Sequence, residues 1–327
     1  TSWRPVGGAP RRPTSTSRGG RAREHARTSC RPPSRPPPRS PAGSPHPPTW
    51  TSSSKDAVGS SLGYGIVNEV YWPRIDLPQI RDLGFIVADG KGFWSEVKRN
   101  GDYSIRAVAP GVPAYEIVHK HSRYVLRLRI SPDPRRDVLA IESDLQSEEL
   151  DMRLYVLLAP HLGATGHDNR AIVAQHRGRR VLWAERSPFA LALAAVDGKQ
   201  QDAIVRASCG YVGVSDGWQD FARNGAMTWD NPAAGPGNVA LMAELSRRCV
   251  LALGFGSSQE AASTLAVSSL MQPFENLLDG QISDWHAWHS RCAECCAHPH
   301  GAAADLEHQF VVSATVLRTH LDKTSPG

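Results

Sequence analysis

The chain has 327 residues, 40% of them hydrophobic, with 37 Lys+Arg against 32 Asp+Glu and a net charge of +5, enough for one large or two ordinary domains. The excess is local: residues 1–48 hold ten arginines, Arg4 to Arg39, no lysine and one acid, Glu24, so the remainder carries 27 basic against 31 acidic side chains, a net −4. A mildly acidic body excludes a nucleic-acid footprint, and no run of ~18 apolar residues is present to cross a membrane.

Residues 1–48 also hold 12 of the 25 prolines. "RPPSRPPPRSPAGSPHPP" offers almost nothing apolar to bury, so the segment is expected to be disordered or polyproline-like. It has no apolar h-region of the secretory type. The six cysteines, Cys30, Cys209, Cys249, Cys292, Cys295 and Cys296, form no spaced framework, which argues against a disulfide-built secreted domain.

Residues 64–94, "YGIVNEVYWPRIDLPQIRDLGFIVADGKGFW", mix aromatics, prolines, carboxylates and arginines without helical spacing. From about residue 83 to 255 the pattern has period two. "YEIVHK", "YVLRLRI", "VLAIESDL", "DMRLYVLLAP", "AIVAQH", "RVLWAER", "FALALAAV", "DAIVRASC" and "VALMAELS" are short Val-, Leu- and Ile-rich runs separated by Gly, Pro, Asp and Asn. This is the signature of an antiparallel sandwich or barrel. In "YVLRLRI" the alternation places Tyr124, Leu126, Leu128 and Ile130 on one face, with Arg127 and Arg129 toward water. "SDGWQDF" (215–221) and "AGPGNVAL" (234–241) read as turns with an aromatic anchor.

Near residue 258 the period changes to that of a helix, capped by Ser257 or Ser258 and broken by Pro273. Beyond the proline, Phe274, Leu277, Leu278, Ile282, Trp285 and Trp288 make one apolar stripe. A further helix is expected from about Ala302 to Asp322, with Leu306, Phe310, Val311, Ala314, Leu317 and Leu321 on one face.

Several side-chain groupings on this frame suggest chemistry. His286, His289, Cys292, Cys295, Cys296, His298 and His300 are residue types that zinc selects. They crowd one helix end instead of two knuckles, so the cluster is read as a Cys/His-rich turn and no metal is expected. His286 and His289 are expected on the solvated flank of the stripe. Glu69, Asp76, Asp82 and Asp89 show no pairing of the kind glycosidases need; they read as turn caps and ion pairs with Arg74 and Arg81. "GPG" precedes no Lys or helix and is no phosphate loop. No G-x-S-x-G elbow occurs. No cofactor is implied.

Five motifs in order, "PTWTSSSKDAVGSSLG", "GIVNEVYWPRIDLPQIRDLGFIVADGKGFW", "LLAPHLGATGHDNRA", "VGVSDGWQDF" and "AGPGNVAL", closely resemble the N-terminal domain of bacterial glucoamylases and glucodextranases, glycoside hydrolase family fifteen. "VSATVLRTHLDKTSPG" looks like the start of their catalytic domain. The resemblance implies a mainly β fold. A large antiparallel super-β-sandwich of the galactose-mutarotase-like kind is followed by a helical linker and the first helix of an incomplete (α/α)6 barrel. The boundaries it implies are 1–48 for the Arg/Pro-rich segment, 49–256 for the sandwich, 257–300 for the linker and 301–327 for the start of the barrel.

The same resemblance implies hydrolysis of α-glucans or maltooligosaccharides from non-reducing ends with inversion. The two catalytic glutamates of that family lie on barrel loops. Twelve helices of ~11 residues need at least ~130 residues, whereas 26 follow Gly301, so no residue here inherits a catalytic role and the chain is expected to be inactive alone. Tyr71, Trp72, Arg74, Asp76, Arg81 and Asp82 become candidates for carbohydrate contact or for the interface with the barrel. Tyr71, Trp72 and Pro73 would present apolar area within a polar rim. One departure stands out: Gly63 leads straight to Tyr64 and Gly65, as though a strand were missing, and an unpaired edge is expected there. The alternative reading, from another class, is a self-contained, non-catalytic carbohydrate-binding module.

Overall fold

The structure, a computed structural model, describes residues 58–295 and 304–320. The Arg/Pro-rich segment lies outside the described residues.

Two antiparallel sheets face each other. The first contains β1 (Gly59–Gly63), β2 (Ile66–Tyr71), β3 (Pro78–Ala88), β9 (Arg153–Pro160), β15 (Val239–Leu245) and β13 (Ile204–Tyr211) in that spatial order, with β4 (Trp94–Glu96) paired to β3. The second runs β14 (Ala233–Gly237), β10 (Asn169–His176), β11 (Arg179–Arg186), β12 (Phe189–Val196), β16 (Arg248–Gly256), β8 (Val138–Gln146), β7 (Tyr124–Pro132), β6 (Tyr115–His121) and β5 (Tyr103–Ala107). The expected β-sandwich with a helical C-terminal part is therefore present. All nine quoted runs are strands.

Period-two alternation explains the core. Leu126, Leu128 and Ile130 of β7 meet Leu83, Phe85 and Val87 of β3, and Leu154, Val156 and Leu158 of β9, in one buried cluster between the sheets. Arg127 and Arg129 point outward as expected. Arg129, however, is covered by a helix: its guanidinium lies 2.6 Å from Glu275 and 5.2 Å above the Phe274 ring centre.

Strand β12, "FALALAAV", is buried on both faces, which is why it carries no polar side chain. Leu191, Leu193 and Ala195 enter the core. Ala190, Ala192, Ala194 and Val196 pack beneath helix α2 (Gln259–Ser269) through Ala262, Ala266, Val267 and Leu270. The small residues let backbones approach. A Cβ on Gly254 of β16 would stand 2.5 Å from the Ala262 carbonyl oxygen, and one on Gly256 2.9 Å from the Ala262 amide. Ser258 caps α2, its hydroxyl accepting from the Ala261 amide.

After the break at Pro273, helix α3 (Phe274–Cys295) lays the expected stripe on the sheet: Phe274, Leu277, Leu278 and Trp285 are buried, with Ile282 and Trp288 packed against them. "SDGWQDF", expected as a turn, is instead the start of a helix, α1 (Gly217–Asn224), capped by Asp216, which accepts from the Gln219 amide. The reason is local: Asp216 and Gln219 have capping-box spacing. Helix α1 covers part of the outer face of the first sheet through Phe221 and Trp218, against Ile86, Tyr155 and Met242.

Helix α4 (Ala304–Thr319) is turned relative to the expected stripe. Phe310, Val311, Ala314, Thr315 and Arg318 form its half-buried face, whereas Leu306 and Leu317 are 55% and 71% exposed; Leu321 lies outside the described residues. Polar anchors set the rotation. The Thr315 hydroxyl donates to the Gly111 carbonyl (3.1 Å), and the Arg318 guanidinium lies 4.3 Å above the Trp285 ring centre.

The apparent gap after Gly63 is closed by a two-residue hairpin. Tyr64 (φ 54°) and Gly65 (φ 72°) both adopt the left-handed conformation of a type I′ turn. β1 then pairs along β2 and is itself an edge of the first sheet.

Candidate functional site

The recognised motifs converge on one end of the sandwich. Strand direction places the β2–β3 loop (72–77), the β9–β10 loop (161–168), the β13–α1 loop (212–216) and the β14–β15 connection at the same end of the first sheet. Two buried amides hold these loops together. Gln79 donates from Nε2 to the Trp72 carbonyl (2.5 Å), while its Oε1 accepts from the Gly163 amide (3.0 Å). Main-chain bonds from His161 to the Gln79 carbonyl (2.9 Å) and from Ala164 to the Pro78 carbonyl (3.0 Å) complete the join. Asn169 accepts from the Leu162 amide (3.1 Å) and donates to the Thr165 carbonyl (2.8 Å). Gly163 (φ 65°) must be glycine: a Cβ would lie 3.0 Å from both Arg186 Nη1 and the Phe189 ring.

The six candidate residues occupy three settings. Tyr71 is half-buried and donates its hydroxyl hydrogen bond to Glu69. That bond, with burial second, raises its pKa and keeps the phenol protonated. Trp72 turns into the sandwich, stacked on Phe255 (6.2 Å, 20°) and edge-on to Phe189 (6.3 Å, 85°). It supports the loop from beneath. Arg74 and Asp76 form an exposed ion pair at the loop tip, Nε to Oδ1 2.9 Å, a geometry that adds little stability. Arg81 and Asp82 sit on the outward face of β3. Asp82 lies 3.8 Å from Arg81 and 3.4 Å from Lys98.

His161 joins these settings. Burial lowers its pKa first, repulsion from Arg81 adds to that, and Glu69 opposes it. Glu69, Tyr71, His161 and Arg81 therefore form one polar strip across β2, β3 and the β9–β10 loop. His161 was present in the motif "LLAPHLGATGHDNRA" but its partners are ~80–90 positions away, so no local spacing singled it out. Gln79 and Asn169 were missed because a structural amide has no sequence signature.

Beside the strip lies a basin of about 320 Å3 on the outer face of the first sheet, bounded by Arg81, Asp82, Glu96, Lys98, Arg99 and Trp218. Its carboxylates are engaged. Glu96 accepts from Trp218 Nε1 (2.7 Å) and Arg99 Nε (2.7 Å), Asp82 faces Lys98, and Asp216 caps α1. Side chains bound this way hold the conformation of the basin.

At the other candidate chemistry, His286 is exposed as expected, but His289 is half-buried, its Nε2 2.9 Å from the Gly111 carbonyl oxygen. It ties α3 to the β5–β6 connection. Cys292 is half-buried; Cys296, His298 and His300, with the Cys295 side chain, lie outside the described residues. Among the described residues no group of three His, Cys, Asp or Glu is placed to hold a metal, and no helix is long and apolar enough to cross a membrane.

Comparison with known proteins gives four findings. Residues 40–290 match the family "Glucodextranase, domain N". A glucoamylase of Clostridium sp. (strain G0005) is 26% identical over 298 residues, which cover 85% of this chain and 41% of the relative. The crystal structure of a bacterial glucoamylase complexed with acarbose superimposes with a TM-score of 0.68 at 26% identity, over 72% of this chain and 36% of that one. A glycosyl hydrolase of family gh92, ccman5, shares the fold at 8% identity and a TM-score of 0.50, over 80% of this chain and 37% of that one. The chain thus spans about two fifths of the length of the curated relative it matches.

Proposed function

Because the chain belongs to the glucodextranase domain N family, we propose that it forms the β-sandwich portion of a glucoamylase-type glycoside hydrolase. That enzyme would release glucose from the non-reducing ends of α-glucans with inversion. The observation that carries this reading is the glucoamylase alignment, which runs along 85% of the chain. In this reading residues 49–256 are the sandwich domain, 257–300 the helical linker and 301–327 the beginning of the catalytic domain. The catalytic carboxyls belong to the barrel.

The role left to the sandwich is architectural. Tyr71, Arg81 and Asp82, with Glu69 and His161, form a rigid polar surface toward the catalytic domain or the bound sugar. Arg74 and Asp76 extend that surface at the loop tip, and Trp72 stiffens it from below. The engaged carboxylates of the neighbouring basin support this division of labour.

Two experiments test the reading. The purified chain, incubated with maltooligosaccharides, is expected to release no glucose. Sustained release that disappears in Glu69→Gln or Asp82→Asn overturns the non-catalytic assignment. Joined to the remaining three fifths of the Clostridium enzyme, the chain is expected to support release of β-glucose; release of the α-anomer overturns inversion.

A further inference from the structure

A second depression, of about 720 Å3, opens on the outer face of the second sheet at the motif end. Its size is that of a ligand pocket, ~300–1,000 Å3. The floor follows from strand register. Arg170 on β10 stands opposite Glu185 on β11, Glu185 opposite Ala190 on β12, and Ala190 opposite Gly256 on β16. A charged pair at one side thus gives way to residues with little or no side chain, and the row ends under the first turn of α2. Gly256 cannot be larger, since its Cβ would strike α2. The depression is built into the sheet.

The walls alternate donors and acceptors. Arg186 donates from Nη1 to the Leu162 carbonyl (3.5 Å) and rests against Gly163, so its guanidinium is held by the braced β9–β10 loop while it lines the groove. Arg170 supplies a second fork. Asp168, Glu185 and Glu260 supply acceptors. The amides of Gln259 and Glu260, in the first turn of α2, precede any intrahelical acceptor. Phe189, fixed edge-on to Trp72, contributes an apolar ring.

Two guanidinium groups against three carboxylates leave the groove near neutrality, and an anion would meet the carboxylates. Closely spaced donors and acceptors beside a ring suit a ligand whose hydroxyls both donate and accept and whose C–H faces are apolar. We propose that this groove is a non-catalytic binding site for a neutral oligosaccharide, specifically an α-glucan chain. The choice of α-glucan rests on the glucoamylase-type reading; the preference for a neutral polyol rests on the groove alone.

Isothermal titration of the full chain with maltoheptaose tests it. Saturable binding is expected. Arg170→Ala and Glu185→Gln, both surface changes, should each weaken it about tenfold, the effect of removing a charged hydrogen-bond partner. Lys199→Ala, at the opposite end, should leave it unchanged. Thermal melts confirm that each variant is folded. Absence of saturable binding by the wild-type chain overturns the site while leaving family membership untouched. Binding undiminished in both groove variants overturns its location. Tighter binding of a sulfated oligosaccharide than of maltoheptaose overturns the neutral-ligand assignment.

Discussion

The two ends of the sandwich are closed in different ways. At one end three hairpins close in two-residue turns, Tyr64–Gly65, Ser122–Arg123 and Arg177–Gly178, and Ser246–Arg247 carries the chain from the first sheet to the second; the loops 89–93, 147–152 and 197–203 lie there too. Backbone geometry sets the first and third of these turns, with φ of 54° and 72° and of 50° and 79°. At the other end the loops 72–77, 161–168 and 212–216 are too long to be shaped by a turn type. Ordering each loop residue costs ~1–2 kcal/mol of backbone entropy, and the offset comes from buried side chains, Gln79 and Asn169 above all. The braced loops present Tyr71, Arg81, His161 and Arg186 in fixed positions.

The largest expected effect tests whether the braces do this. Gln79→Ala leaves the Trp72 carbonyl and the Gly163 amide without their side-chain partner, and should cost about 3 kcal/mol by denaturant unfolding. Hydrogen exchange should speed up in residues 72–77 and 161–166 first. A cost within the ±0.5 kcal/mol of a surface change would mean that the two ends are held alike.

Acid sharpens the comparison next, because each end has a histidine whose pKa is lowered. His119, fully buried, sets its Nε2 2.7 Å from the Gly65 carbonyl oxygen at the hairpin end; burial lowers its pKa, against that hydrogen bond. His161 is lowered by burial and by Arg81 at the loop end. Between the lowered folded pKa and the ordinary unfolded value of ~6.5, the unfolded chain binds more protons. Stability is therefore complete above pH ~6.5 and falls as pH drops through that window. His119→Gln should flatten the decline more than His161→Gln, since its ring is the more buried. Equal slopes in all three proteins would remove histidine from the account.

The smallest effect belongs to the hairpin end. Tyr64→Asn creates an Asn-Gly pair suited to a type I′ turn and should raise stability by about 0.5 kcal/mol. A loss would show that the half-turn is set by the Tyr64 side chain instead of the backbone.

Alternation and stripe were readable because they are periodic. Leu126, Leu128 and Ile130, or Phe274, Leu277, Leu278 and Trp285, announce their burial by spacing alone. Helix α1 was readable in principle from Asp216 and Gln219, but Gly217 and its short length masked it. The rotation of α4 was not, because Thr315 and Arg318 set it through partners at residues 111 and 285. The proposed polar surface is only partly local in sequence. Tyr71, Arg81 and Asp82 came from one stretch of sequence, whereas Glu69 acquires its role only beside His161, and the groove of Arg170, Glu185 and Gly256 exists only once three strand registers are fixed.

Strand order has a consequence for how the chain reaches this fold. β16, residues 248–256, lies between β12 and β8 in the middle of the second sheet. Until it is inserted, the sheet is two halves, each with an open edge of apolar strand, and the core between the sheets has no lid. Of the described strands, the one synthesised last is thus the one that joins the halves. Folding is governed by long-range pairing, the slow regime of ms to s or longer for β-rich chains, and the exposed edges of β8 and β12 are the surfaces on which a half-made chain would aggregate or engage a chaperone. A ribosome-bound chain stopped before Arg248 should be captured by a holdase, and one released past Gly256 should escape it.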